Sequence, residues 1–167
     1  LPLPQIVQKL PTLPLIAQPG TIWSYSLAHD VLGYLIGVIS GKPFDVFLRE
    51  RVFEPLGMAD TSFFVPPDKL DRLGPLYRAR GEEPALLVAD EVAGSPYVSP
   101  GAIASGGGGL VSSMPDYFRF ATMLANGGEL DGVRHLAPST VMAMTTNQLP
   151  ASADKEFVYG SGYGLGV

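Results

Sequence analysis

Cysteine is absent from the 167 residues, so the chain has neither a disulfide framework nor a thiolate metal site, and no redox compartment can be read from it. Histidine is scarce. His29 and His135 are the only two, too few for an ordinary zinc site without thiolates, and each reads as a surface or capping residue, so no metal is expected. Charge is thin as well: 11 Lys and Arg stand against 16 Asp and Glu, a net charge of -5, with no basic run to neutralise phosphates. That argues against nucleic acid as a partner. Charged residues make up only 16% of a chain that is 46% hydrophobic, the reverse of a disordered composition. The longest uncharged apolar stretch, Val31 to Gly41, is roughly half of what a bilayer-spanning helix needs, and no transmembrane segment is expected. The start, Leu-Pro-Leu-Pro, has no Met and no charged region leading into an apolar one. It shows no targeting signal and reads as a cut within a longer chain, leaving localisation unassigned. Three common enzyme signatures are missing too: the Gly-x-Ser-x-Gly elbow, His-Glu-x-x-His and the phosphate-binding Gly-x-x-x-x-Gly-Lys-Ser/Thr.

What is present is a chain long enough to bury about two-thirds of its unfolded surface. Five prolines among the first twenty residues leave room for one short helix near Ile6 to Leu10. Ala28, Val31, Leu32, Leu35, Ile36 and Ile39 then recur every three or four residues, predicting an amphipathic helix that ends at Gly41 and Pro43. Gly33 and Gly37 lie one turn apart on it and are expected to admit a neighbouring helix. A second helix is expected from Pro43, with Phe44, Phe47, Leu48 and Val52 on one face, stopping near Glu54-Pro55 and forming a hairpin with the first. Residues 56 to 105 are mixed, with brief strands such as Ala85 to Val88. Ser113-Met-Pro-Asp116 opens a helix through Leu124 that stops at Gly127-Gly128, and another runs from Pro138 to about Asn147. The alternation of Gly with aromatic and apolar residues from Tyr159 to Val167 suggests entry into a strand.

Three features bear on chemistry. Gly106 to Gly109 is either a flexible turn or a wall where a ligand approaches the main chain; with no Lys behind it, it is not a phosphate cradle. Ser152-Ala-Asp-Lys155 matches Ser-x-x-Lys, in which a helical turn sets an amine beneath a hydroxyl, but it follows a proline in a polar stretch and reads as a surface loop. Tyr25 lies where the chain bends into the strongest helix. As a base near neutrality it needs a nearby cation, since a free phenol has a pKa of about 10. Taken alone, it reads as an ordinary core or surface tyrosine.

Several stretches, in order and spacing, are similar to one family. They are Pro19-Gly-Thr-Ile-Trp-Ser-Tyr-Ser26, His29-Asp-Val-Leu-Gly33, Ile39-Ser-Gly-Lys-Pro-Phe44 and Val52-Phe-Glu-Pro-Leu-Gly-Met-Ala-Asp-Thr61. Ser99-Pro-Gly-Ala102, Ser105-Gly-Gly-Gly-Gly-Leu-Val-Ser112, Asp116-Tyr-Phe-Arg-Phe120, Asn126-Gly-Gly-Glu129 and Gly162-Tyr-Gly-Leu-Gly166 continue the likeness over nearly the whole chain. The chain resembles the serine β-lactamase-like and penicillin-binding group: class C β-lactamases, D-alanyl-D-alanine carboxypeptidases and related esterases.

The resemblance implies an α+β fold, a helical lobe beside part of an antiparallel sheet. Residues 1 to 167 would be the central part of one domain, incomplete at both ends, with the helical lobe at about 20–130 and the return to the sheet at about 131–167. It implies a Ser-x-x-Lys nucleophile upstream and a Lys/His-Thr-Gly-type strand downstream, both outside this chain. Tyr25 takes the place of the family tyrosine that helps move the serine proton to the leaving group. Leu27 stands where β-lactamases carry an Asn that bonds the substrate's acylamino group, a bond leucine cannot make. Gly107 and Gly108 would line the wall opposite the nucleophile. The implied activity is a serine hydrolase, esterase-like or β-lactamase-like, working through an acyl-enzyme on an ester or amide/lactam carbonyl, without cofactor. Its partners would be that small-molecule substrate and the rest of its own domain, and the 167 residues alone would be inactive. A non-catalytic ligand-binding relative and a D-alanyl-D-alanine peptidase are the alternatives.

Overall fold

The computed structural model describes residues 3–80, 83–99, 103–152 and 162–166. Helix α1 spans Leu3–Lys9 and runs into a 3-10 turn, Leu10–Thr12, because Pro11 removes the donor that would extend it. Helix α2, Ala28–Ser40, matches the predicted periodicity and closes at Gly41, whose φ of 67° is a left-handed cap that glycine takes without strain. Helix α3 is short, Phe44–Leu48, and passes directly into a π-helical turn, Arg49–Phe53. Nothing in the apolar spacing of Phe44 to Val52 marks that change of winding.

Two expectations need correcting. α2 and the α3–π segment do not form an antiparallel hairpin; they meet at 81°. That corner follows from Gly33, which is buried and lets the Phe44 ring come so close that a Cβ would sit 3.2 Å from it. Gly37 admits no helix and instead faces the carbonyl of Lys42 in the connecting turn.

Strands β1, Leu76–Arg80, and β2, Glu83–Asp90, pair antiparallel with Tyr77 opposite Val88 and Ala79 opposite Leu86. Helix α4, Met114–Ala125, starts as predicted: the Ser113 hydroxyl accepts the Asp116 N–H at 3.3 Å, and Pro115 sits in the first turn. After Gly127 and Gly128 comes a hairpin absent from the sequence reading, β3 Glu129–Leu130 paired with β4 Val133–Arg134. Its turn is Asp131-Gly132, both at positive φ, the tightest hairpin signal a sequence offers. Helix α5 covers Pro138–Thr145.

The main buried cluster is Phe53, Leu56, Met58, Met123 and Leu130, with Leu48, Val52, Phe120, Leu124 and Leu136 packed on it. It joins the π turn and the loop after it to α4 and β3, leaving α2 outside. On α2, Leu32, Leu35, Val38 and Ile39 remain exposed. A second joint holds the start of α4. The Asp116 carboxylate, 6% exposed, accepts the Asp60 N–H at 2.7 Å and the Thr61 hydroxyl at 2.9 Å. Ser62 and Val111 add one antiparallel bridge beside it.

Among the described residues the fold is therefore mixed, helices with two small antiparallel sheets, as the α+β expectation has it. The strand predicted from Tyr159 onward falls partly outside the described residues. Residues 162–166 carry no ladder there, and pair instead with the end of α5: Gln148 N–H to the Tyr163 carbonyl at 2.8 Å, and Leu165 N–H to the Met144 carbonyl at 2.9 Å.

Candidate active site

Three segments that are remote in sequence converge at the start of α2. The first is the bend from Thr21 to Leu27, which carries Trp23, Tyr25 and Leu27. It enters the helix without a side-chain cap at Leu27; Ser26 supplies the local contact, its hydroxyl accepting the Ala28 N–H at 3.2 Å. Tyr25 is 77% exposed and Leu27 47% exposed, so neither is core. The second segment is 162–166. Tyr163 meets the Trp23 ring edge-on with centroids 5.2 Å apart, and Gly166 lies against the His29 imidazole. Tyr25 is thus flanked on both sides, at Trp23 and at His29, by residues that touch one crossing strip of chain.

The third segment is the glycine loop. Gly106 presses on the carbonyl of His29 so closely that an added Cβ would sit 1.9 Å from that oxygen, a contact only glycine permits. Ser105 donates its hydroxyl to the Asp30 carboxylate at 2.6 Å and accepts the Gly107 N–H at 3.1 Å. Gly107 and Gly108 are exposed, and a Cβ on Gly108 would meet nothing within 4 Å. Tyr25 and Leu27 are therefore tied to Gly107 and Gly108 through His29 and Asp30. Sequence reasoning singled out the four outer residues and the glycine run that includes Gly106, and missed Asp30 and Ser105, which connect them. An Asp in a first helical turn and a Ser before glycines are common; their pairing across 75 positions leaves no local signal. His29 is exposed, as expected for a surface residue, while Lys155 of the Ser-x-x-Lys match lies outside the described residues.

A cavity of about 580 Å³ lies elsewhere, lined by Phe53, Met58, Val65, Leu73, Val111 and the ion group around Asp60. It includes no residue of the Tyr25 bend or the glycine loop. Volume alone does not make it the site of chemistry: its Asp60 carboxylate is taken up by Lys69 and Arg72, and its Thr61 hydroxyl by Asp116 in the joint to α4. Arg72 and Lys69, each 2.7 Å from Asp60, hold that carboxyl far below the usual range, Arg72 contributing most. A depressed carboxyl pKa adds stability above the unfolded value near 4, and that stability is lost as pH falls below it. Melting curves should accordingly show Tm falling between about pH 4 and pH 2. Asp60→Asn should flatten part of that slope, whereas an unchanged slope would assign the acid sensitivity to other groups.

Residues 2–167 match the Beta-lactamase family over essentially the full chain. The chain belongs to that family. Among its relatives, Protein Rv1367c of Mycobacterium tuberculosis (strain ATCC 25618 / H37Rv) is 38% identical over 164 residues, 95% of this chain and 40% of that protein. The lovastatin esterase of Penicillium rubens is 30% identical over 152 residues, 90% of this chain and 37% of the esterase. In three dimensions the chain is similar to EstCE1, a hydrolase with promiscuous acyltransferase activity. The TM-score is 0.79 at 28% identity, over 99% of this chain and 45% of that one. The chain thus spans less than half the length of these Beta-lactamase family relatives. The family likeness includes hydrolases and covers the bend, the glycine loop and residues 162–166 alike.

Proposed function

We propose that the full-length protein is a serine hydrolase of the esterase kind, forming an acyl-enzyme on a serine outside this chain. The observation that carries the reading is an exposed phenol, Tyr25, flanked by an exposed leucine and linked through the start of α2 to the glycine loop. In this reading the serine oxygen attacks an ester carbonyl while Tyr25, as phenolate beside a lysine ammonium, takes the serine proton. The proton then passes to the departing alkoxide, and water releases the acid. Leu27 gives the acyl group an apolar neighbour and offers no hydrogen bond to an amide side chain. Gly107 and Gly108 keep the facing wall low, which suits bulky or varied acyl groups. The lovastatin esterase among the relatives supports an ester as the substrate. We further place the rest of the domain on the apolar side of α2, where Leu32, Leu35, Val38 and Ile39 face outward.

The test compares a short-chain nitrophenyl ester with a cephalosporin, using the full-length protein. Ester turnover should exceed lactam turnover by about a hundredfold or more, the kind of ratio a site shows for a substrate it does not have to leave unpaired. Rapid lactam hydrolysis without ester hydrolysis sinks the esterase reading. A fluorophosphonate that leaves no covalent mass increment points to a binding module instead.

A further inference from the structure

We propose that Asp30 and Ser105 are positioning residues: their hydrogen bond clamps the glycine loop onto the helix that follows Tyr25 and so sets the wall of the acyl-binding cleft. The inference rests on the esterase reading for its catalytic consequence and on geometry for the clamp itself. Among the described residues, the loop from Ile103 to Leu110 makes one backbone bond of its own, Ser105 N–H to the Ile103 carbonyl at 2.8 Å. With so little internal support, its conformation has to be imposed from outside. Asp30 imposes it. The carboxylate sits in the first turn of α2, where the helix end favours negative charge, and accepts the Ser105 hydroxyl at 2.6 Å. That hydroxyl has a single proton, so donating it to Asp30 turns its lone pairs toward Gly107, whose N–H it accepts at 3.1 Å. The second carboxylate oxygen lies beneath Gly107, 3.3 Å from where a Cβ would be. Below this chain of bonds the loop rests directly on the helix. Gly106 meets the His29 carbonyl, and the Gly106 Cα approaches to 3.4 Å from the Cβ position of Gly33. One charged bond and two glycine contacts therefore fix the height of Gly107 and Gly108 above the bend that carries Tyr25 and Leu27.

Removing the bond should free the wall without touching the reacting atoms. In the full-length protein, Asp30→Ala and Ser105→Ala should each raise KM for a short-chain nitrophenyl ester about tenfold with kcat changed less than about threefold, the worth of one charge-assisted hydrogen bond. Amide exchange at Gly107 and Gly108 should accelerate in both variants. Asp30→Asn, whose carbonyl oxygen still accepts the serine hydroxyl, should restore both readouts. If Asp30→Ala does not fold, Ser105→Ala, which removes a single oxygen, carries the test. Wild-type ester turnover with KM and exchange unmoved in Ser105→Ala overturns the clamp and leaves the esterase reading intact. A lowered Tm with unchanged KM also overturns it, since the pair is then merely structural. If the wild type turns over no ester, the esterase reading fails, and the exchange rates alone decide whether the clamp exists.

Discussion

Replacing Tyr25 with Phe in the full-length protein should lower kcat for a short-chain ester by about a hundred- to ten-thousandfold, the range that a positioned acid or base contributes. Stability should hardly change. The residue is 77% exposed, so the substitution removes one oxygen from a ring that is mostly in solvent, and surface changes of that kind usually fall within about 0.5 kcal/mol. A concentrated loss in kcat with an unshifted Tm is the pattern that separates a proton-transfer role from a packing role. Full activity in the variant removes Tyr25 from the mechanism.

Gly106→Ala should destabilise the fold by about 3 kcal/mol or more, at the top of the range for overpacking. The new methyl would stand 1.9 Å from the His29 carbonyl oxygen and 2.6 Å from its carbon. Both belong to the backbone at the start of α2, so no side-chain rotation relieves the clash; loop and helix must part. Two residues away the same change should do nothing. Gly108 has open space where its Cβ would be, and Gly108→Ala should alter stability by less than about 0.5 kcal/mol in either direction. Urea unfolding of the two variants side by side measures the contrast. Equal stabilities would mean that the glycine loop does not bear on the helix.

Much of the local structure was legible because it rests on neighbours in the chain. α2 announced itself through apolar spacing and its Gly41 stop, α4 through Ser113, Pro115 and Asp116, and β2 through its apolar run. The β3–β4 hairpin also has a local signal, Asp131-Gly132, but its strands are only two residues long, too short for an alternating pattern to show. Other features had no local cause. The π turn at Arg49–Phe53 and the 81° corner depend on how Phe44 and Phe53 are packed against other segments, and a helical sequence pattern is the same with or without them. Tyr25, Leu27, Gly107 and Gly108 were singled out by resemblance to a family motif; their spacing alone left Tyr25 an ordinary tyrosine.

By itself, then, the sequence determined the helices, their stops, the absence of thiolate chemistry and the family likeness, since periodicity, capping and residue order act over a few positions. Only the tertiary structure decided that Asp30 meets Ser105, that Gly106 bears on His29, and that residues 162–166 cross beside Trp23. Those contacts join positions 75 or more apart, where short-range propensity carries no information and packing alone chooses the partner.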